Sequence, residues 1–143
     1  MSVGILLITH DDIGSSLLVS MQKMLGTLPL SVRVLPIRHE DEPLAFCYHA
    51  ESLCQNLNKG HGVLVLTDLF GATPCNIACS LIHHHRVRIV AGVNLPMLIK
   101  IMNYPLADLD TLASKALSGS CQGVLDVNSV YSEQCNCETS LQK

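Results

Sequence analysis

Tryptophan is absent and aromatic residues make up only 3% of the chain. That argues against the stacking platforms on which single-stranded nucleic acid is held. Charge is scarce too: charged residues are 15%, and nine Lys and Arg stand against twelve Asp and Glu, for a net charge of -3. A surface that binds DNA by neutralising phosphates is not built from that balance. So low a charged fraction also suggests that another subunit covers part of the surface. Long apolar runs are missing as well. Val3 to Ile8 is short of the roughly 20 residues of a membrane helix, and it lacks the basic flank of a signal peptide. A cytoplasmic protein is expected. The sequence contains no Gly-x-Gly-x-x-Gly, no Gly-x-x-x-x-Gly-Lys-Ser/Thr and no Gly-x-Ser-x-Gly, which speaks against dehydrogenase, NTPase and hydrolase readings.

What is present is an apolar, core-forming chain. Hydrophobic residues are 48% of 143, which excludes disorder and fits one domain with a substantial core. Seven cysteines, an odd number, read mostly as small buried hydrophobes of a reducing compartment.

Strand and helix patterns alternate along the chain. Val3 to Ile8 is continuous in apolar residues, as in a strand buried on both faces. Ile13, Leu17, Met21, Met24 and Leu25 then follow helical spacing, with Asp12 as candidate cap and Gly26 as stop. Ser31 to Ile37 reads as a strand nearer an edge, because of Pro36. Glu42-Pro43 opens a second helix that ends near Lys59-Gly60. Gly62 to Asp68 is a third strand. Thr73 and Pro74 read as cap and first residue of a helix reaching about His84. Arg86 to Val93 is a fourth strand, and Asn94 caps a short helix from Leu95 to Met102. A last helix is expected over about 107–117, then a short fifth strand at Gly123 to Val127. This order implies an α/β fold: an open, doubly wound, mostly parallel sheet of four strands with helices on both faces. Residues 1–127 form the domain and 128–143 a polar tail.

In such a sheet, ligands gather at the C-terminal ends of strands where strand order reverses. Polar groups stand at three of those ends: Thr9-His10-Asp11, Thr67-Asp68 with the turn to Thr73, and Gly92-Val93-Asn94. A neutral imidazole attacks phosphorus well near pH 7 when one ring nitrogen is free and the other donates to a carboxylate. His10 and Asp68 supply that pair if they converge. The Thr73 hydroxyl and the helix start beside it offer donors for phosphoryl oxygens. The plainer alternative is that His10 only caps a strand end and Asp68 only caps its turn.

Three segments carry a resemblance. Ile8-Thr9-His10 before a Leu-rich helix is similar to the active-histidine segment of the mannose-type IIA components of the bacterial phosphotransferase system. Asp68-Leu-Phe-Gly-Ala-Thr-Pro-Cys-Asn76 is similar to that family's Asp-x-x-Gly-Gly-Ser/Thr-Pro-x-Asn loop. Gly92-Val-Asn-Leu-Pro-Met-Leu98 resembles its Gly-Val-Asn-x-Pro-Met-Leu segment. The three occur in order over about residues 1–127. The resemblance implies a phosphorylated histidine at His10, a carboxylate partner at Asp68 and a loop hydroxyl at Thr73. It implies no cofactor and no metal. It implies a phosphoryl group received from the phosphocarrier protein HPr and passed to a separate EIIB protein. The membrane is then reached only through EIIC and EIID, where these exist. It also implies a doubly wound sheet, commonly in a homodimer that exchanges a C-terminal strand, for which Gly123 to Val127 is the candidate. Two features depart from the pattern: Asp11 and Asp12 both follow the histidine, and Ala72 stands where a second loop glycine is usual. Carboxylates beside a phosphohistidine repel it unless they point away or cap the helix. Ala72 is acceptable if its φ is negative.

Other signals are weaker. His83-His84-His85 cannot all face one ion from a helix, since neighbours point about 100° apart; a solvated helix end is the better reading. Cys135-Asn136-Cys137 lacks a second pair at zinc spacing. Cys75 and Cys79 share a helix face as core residues. Two other functions stay open: a phospho-switch that regulates a partner without sugar transport, and an α/β protein that binds a small ligand without covalent chemistry.

Overall fold

A computed structural model describes residues 2–40 and 42–133. The continuous apolar run at the start forms β1, Gly4–His10, whose first six residues are buried. Helix α1 follows over Ile13–Leu25, then β2 over Val32–Ile37 and α2 over Pro43–Leu57. Strand β3 is Val63–Thr67, buried throughout. Helix α3 is Thr73–Cys79, β4 is Val87–Ala91, α4 is Leu95–Met102 and α5 is Leu109–Gln122. The four strands form one parallel sheet in the order β2-β1-β3-β4. Pro36 lies on the edge strand β2, as a residue without an N–H must where no second neighbour exists.

Alternation along the strands builds a core on each face. Ile5, Leu7, Leu64, Leu66 and Val90 pack with Met21, Leu98, Ile101 and Leu112 under α1, α4 and α5. Leu6, Ile8, Leu35, Val63 and Val65 pack on the other face with Ala50, Cys54, Ile77 and Leu81 under α2 and α3. The chain leaves β1 for β2 on one side, then crosses back through α2 to β3 on the other side of β1. The strand order therefore reverses between β1 and β3.

Several local expectations are corrected. Asp12 precedes α1 but makes no cap bond from its side chain; the Gly14 N–H donates to Thr9 Oγ1 instead, at 2.9 Å. The cap of α3 is Ala72, so Thr73 and Pro74 each stand one position further in than expected. Helix α3 stops at Cys79, not near His84. Beyond it the N–H groups of Ser80, Leu81 and Ile82 bond three residues back, the tightened turn that ends helices. Helix α5 is longer than its apolar spacing suggested. The fifth strand at Gly123 to Val127 does not form. Gly123 closes α5 on the Gly119 carbonyl. Asp126 then accepts from the Asn128 N–H and the Ser129 hydroxyl, at 3.1 and 2.8 Å, and 127–133 is helical. An aspartate that starts a helix overrides the strand propensity of Val124, Leu125 and Val127. The rest of the expected tail, with Cys135-Asn136-Cys137, lies outside the described residues. Among the described residues no helix is long and apolar enough to cross a membrane.

Candidate functional site

His10 is the last residue of β1, on the central side of the sheet's C-terminal edge. Asp11 directly after it adopts φ 42, the left-handed region that Asp tolerates better than most residues. Its N–H still bonds the Ile37 carbonyl, at 3.0 Å. The chain thus leaves the strand sharply, and His10 remains at the strand end with 29% of its side chain exposed.

Asp68 follows β3, the neighbour of β1, and its carboxylate reaches across to His10. Oδ2 accepts from the His10 backbone N–H at 3.0 Å and lies 2.8 Å from the ring Nδ1. Oδ1 accepts from the Leu69 N–H at 3.1 Å. Burial alone pushes the Asp68 carboxyl up. The hydrogen bonds from His10 backbone and ring, a backbone bond of its own residue and the attraction of His10 outweigh it, and hold the carboxyl below its usual range. An ionised carboxylate only accepts, so Nδ1 carries the proton of this contact. In its neutral form the ring then presents Nε2 with its lone pair. Convergence of His10 and Asp68 at the switch between β1 and β3 is what the sequence pattern anticipated. A two-point grip on the histidine is more than a strand-end cap requires.

Nearby is a cleft of about 190 Å³. His10 and Thr73 line it together, with Ile37 and Arg38 from the end of β2, His39, and Pro43 and Phe46 from α2. Thr73 is brought there by the turn after Asp68. Gly71 in that turn has φ 80, which suits glycine. Ala72 has φ -82, so the alanine in place of a second glycine costs no backbone strain. The Arg38 guanidinium donates to Asp12 Oδ1 at 2.9 Å, so one of the two carboxylates after His10 is partly neutralised. Arg38 and the cleft wall on α2 are residues that sequence reasoning missed. Arg38 directly follows a parallel strand, as Asp68 does, but on sequence alone it reads as a solvated position.

Other candidates lie elsewhere. Gly92, Val93 and Asn94 do not line this cleft. Asn94 caps α4 by accepting from the Met97 N–H at 2.9 Å, and its amide donates to Ser120. His83 and His84 are exposed in the turn after α3, while the His85 side chain is largely buried, with Nε2 3.6 Å from Glu51. Cys75 is buried and Cys79 exposed, so only one of that pair is core. Burial pushes the Cys54 thiol up to about 11, which leaves it inert. A larger cleft of about 390 Å³ opens between Met24, Leu95, Pro96 and Ile99. It is mostly apolar, and among the described residues lining it none pairs an imidazole with a carboxylate as His10 and Asp68 do, which makes the smaller cleft at His10 the candidate site.

Known proteins are similar to this chain in sequence and in fold. The family model of the PTS system fructose IIA component matches residues 4–116. The Escherichia coli protein YadI, named for a phosphotransferase enzyme IIA component, is 31% identical over 104 residues, 70% of this chain and 68% of that protein. The fructose-specific EIIA component of Bacillus subtilis is 42% identical over 50 residues, 34% of each. Among solved structures, the mannose/sorbose-specific IIA subunit of Enterococcus faecalis superposes with a TM-score of 0.76 at 27% identity, over 88% of this chain and 95% of that one.

Proposed function

The chain belongs to the fructose/mannose-type IIA family of the phosphotransferase system, and from that premise we propose that it is a phosphoryl carrier acting through His10. The phosphoryl group comes from a phosphohistidine on the carrier protein HPr and leaves to a separate EIIB protein. The observation that carries the reading is the double contact of Asp68 with His10, at 3.0 Å to the backbone N–H and 2.8 Å to Nδ1.

The step follows from that geometry. The Nε2 lone pair attacks phosphorus and forms the new N–P bond. The donor's N–P bond breaks, and its electron pair returns to the donor ring nitrogen. The His10 ring becomes cationic, keeps its proton on Nδ1 and is stabilised there by the Asp68 carboxylate. Thr73 donates its hydroxyl to a phosphoryl oxygen. Passing the group to EIIB is the same step in reverse geometry, with His10 as leaving group. No cofactor enters.

The carrier works in the cytoplasm as a homodimer. Support for the dimer comes from Val124, Leu125 and Val127, exposed beyond the end of α5, whose last residue Gln122 lines the larger apolar cleft. The test of the carrier is intact mass after incubation with phosphoenolpyruvate and the two general phosphotransferase proteins. One acid-labile phosphoryl group is expected on the wild type and none on His10→Ala. Full labelling of His10→Ala overturns the assignment.

A further inference from the structure

In the register of the sheet, His10 stands opposite Ile37. The next residue out on β2's side of the edge is Arg38. Its side chain lines the same cleft as His10 and Thr73. Among the described residues lining that cleft, it is the one that stays cationic at any working pH. A phosphoryl group on His10 brings roughly two negative charges to a site that already holds the Asp68 carboxylate, with Asp11 and Asp12 next in sequence. That addition needs a cation near it, and the Nδ1 proton is already engaged by Asp68.

Among the described residues Arg38 is held by a single contact, from Nη2 to Asp12 Oδ1 at 2.9 Å. Both side chains are more than half exposed, at 52% and 71%. A pair that open is worth little and exchanges readily for a stronger partner. A phosphoryl dianion is that partner, because its oxygens match the guanidinium fork in two parallel bonds.

We propose that Arg38 is a phosphoryl-binding residue of the His10 site, parked on Asp12 until the phosphoryl group arrives. This rests on the phosphohistidine reading above. The guanidinium moves from a carboxylate to the phosphoryl oxygens; no bond to Arg38 forms or breaks. Asp12 becomes a competitor that sets how much of Arg38 is available. The pair of acidic residues after the histidine then tunes the site instead of only opposing it.

The experiment compares wild type, Arg38→Gln, Arg38→Lys, Asp12→Asn and the double variant Asp12→Asn/Arg38→Gln. Each receives phosphoenolpyruvate and the two general phosphotransferase proteins, and the labelling rate and lifetime of phosphorylated His10 are read by mass. A thermal melt checks that each variant is folded. Arg38→Gln should label roughly 10-fold more slowly, the effect of losing a charge-assisted hydrogen bond to the reacting group. Arg38→Lys should fall between, having charge without the fork. Asp12→Asn should label about 2- to 3-fold faster, and that gain should vanish in the double variant. A folded Arg38→Gln that labels within about twofold of wild type overturns the assignment of Arg38. An Asp12→Asn gain that persists without Arg38 overturns the parking role. A wild type that takes no label instead refutes the phosphohistidine reading itself.

Discussion

At the scale of single residues, the Asp68 carboxylate offers the sharpest test of the proposed carrier. Asp68→Asn keeps an oxygen for the His10 N–H and loses the charge. Phosphorylation of His10 should slow by roughly 10²-fold, the range for orienting and acid–base groups, while stability falls by about 1 kcal/mol. Initial rates and a thermal melt separate the two effects. A variant that labels at the wild-type rate leaves Asp68 a turn residue. The same carboxyl predicts a pH dependence. Its folded value lies below the ordinary 3.8, so its contribution to stability is complete above about pH 4 and is lost as pH falls through the folded value. Melting temperatures of wild type and Asp68→Asn should therefore converge as the pH drops below 3.8; a constant gap contradicts the ionised pair. Next to it, the Thr67 hydroxyl is buried and has no hydrogen-bond partner among the described residues. Thr67→Val removes an unsatisfied group at nearly constant shape, and should raise stability by about 1 kcal/mol, read as a rise of about 3 °C in melting temperature. A lower melting temperature shows that the hydroxyl is satisfied in solution. His10 and Asp68 were legible as a pair because both stand at the ends of strands that had to be parallel, and the bond across that gap is what such strand ends permit. Arg38 was not, because a charged residue beyond an edge strand looks like any solvated surface position until the cleft is seen.

At the scale of elements, close approach between α1 and the sheet fixes the entry to the site. A Cβ built on Gly14 meets Thr9 Oγ1 at 2.7 Å and Val34 Cγ1 at 3.0 Å. Overpacking there costs about 1–3 kcal/mol, against about 1 kcal/mol gained in helix propensity. Gly14→Ala should thus lower the melting temperature, measured by circular dichroism; a rise shows that α1 can shift outward freely. Elements were read well where burial decides and poorly where local bonds decide. β1 and β3 announce themselves as unbroken apolar runs, since both faces are covered. Pro36 marks β2 as an edge. Polar His83 to His85 gives no stop signal, so α3 looked longer than the turn back to β4 allows. The apolar residues around Asp126 suggested a strand, but one carboxylate starting a helix settled the local structure.

At the scale of the whole molecule, two cores share one sheet, and the apolar surface is not fully used. Light scattering over a range of concentrations should give the mass of a homodimer, with association weakened by Val124→Asp, because a charge in an apolar interface is costly. A concentration-independent monomer mass contradicts the dimer. The strand order has a further consequence for how the molecule is made. β1 precedes β2 and β3 in the chain but lies between them. A nascent chain can pair β1 with β2 once Ile37 has emerged, yet the other edge of β1 stays bare until β3 follows. A bare edge is a template for foreign strands, and synthesis at about 5–20 residues per second leaves it open for seconds. Asp68 is the next residue after β3. The docking that closes the edge also delivers the carboxylate to His10, so a chain able to hold the histidine in place is one that no longer offers that edge to its neighbours on the ribosome.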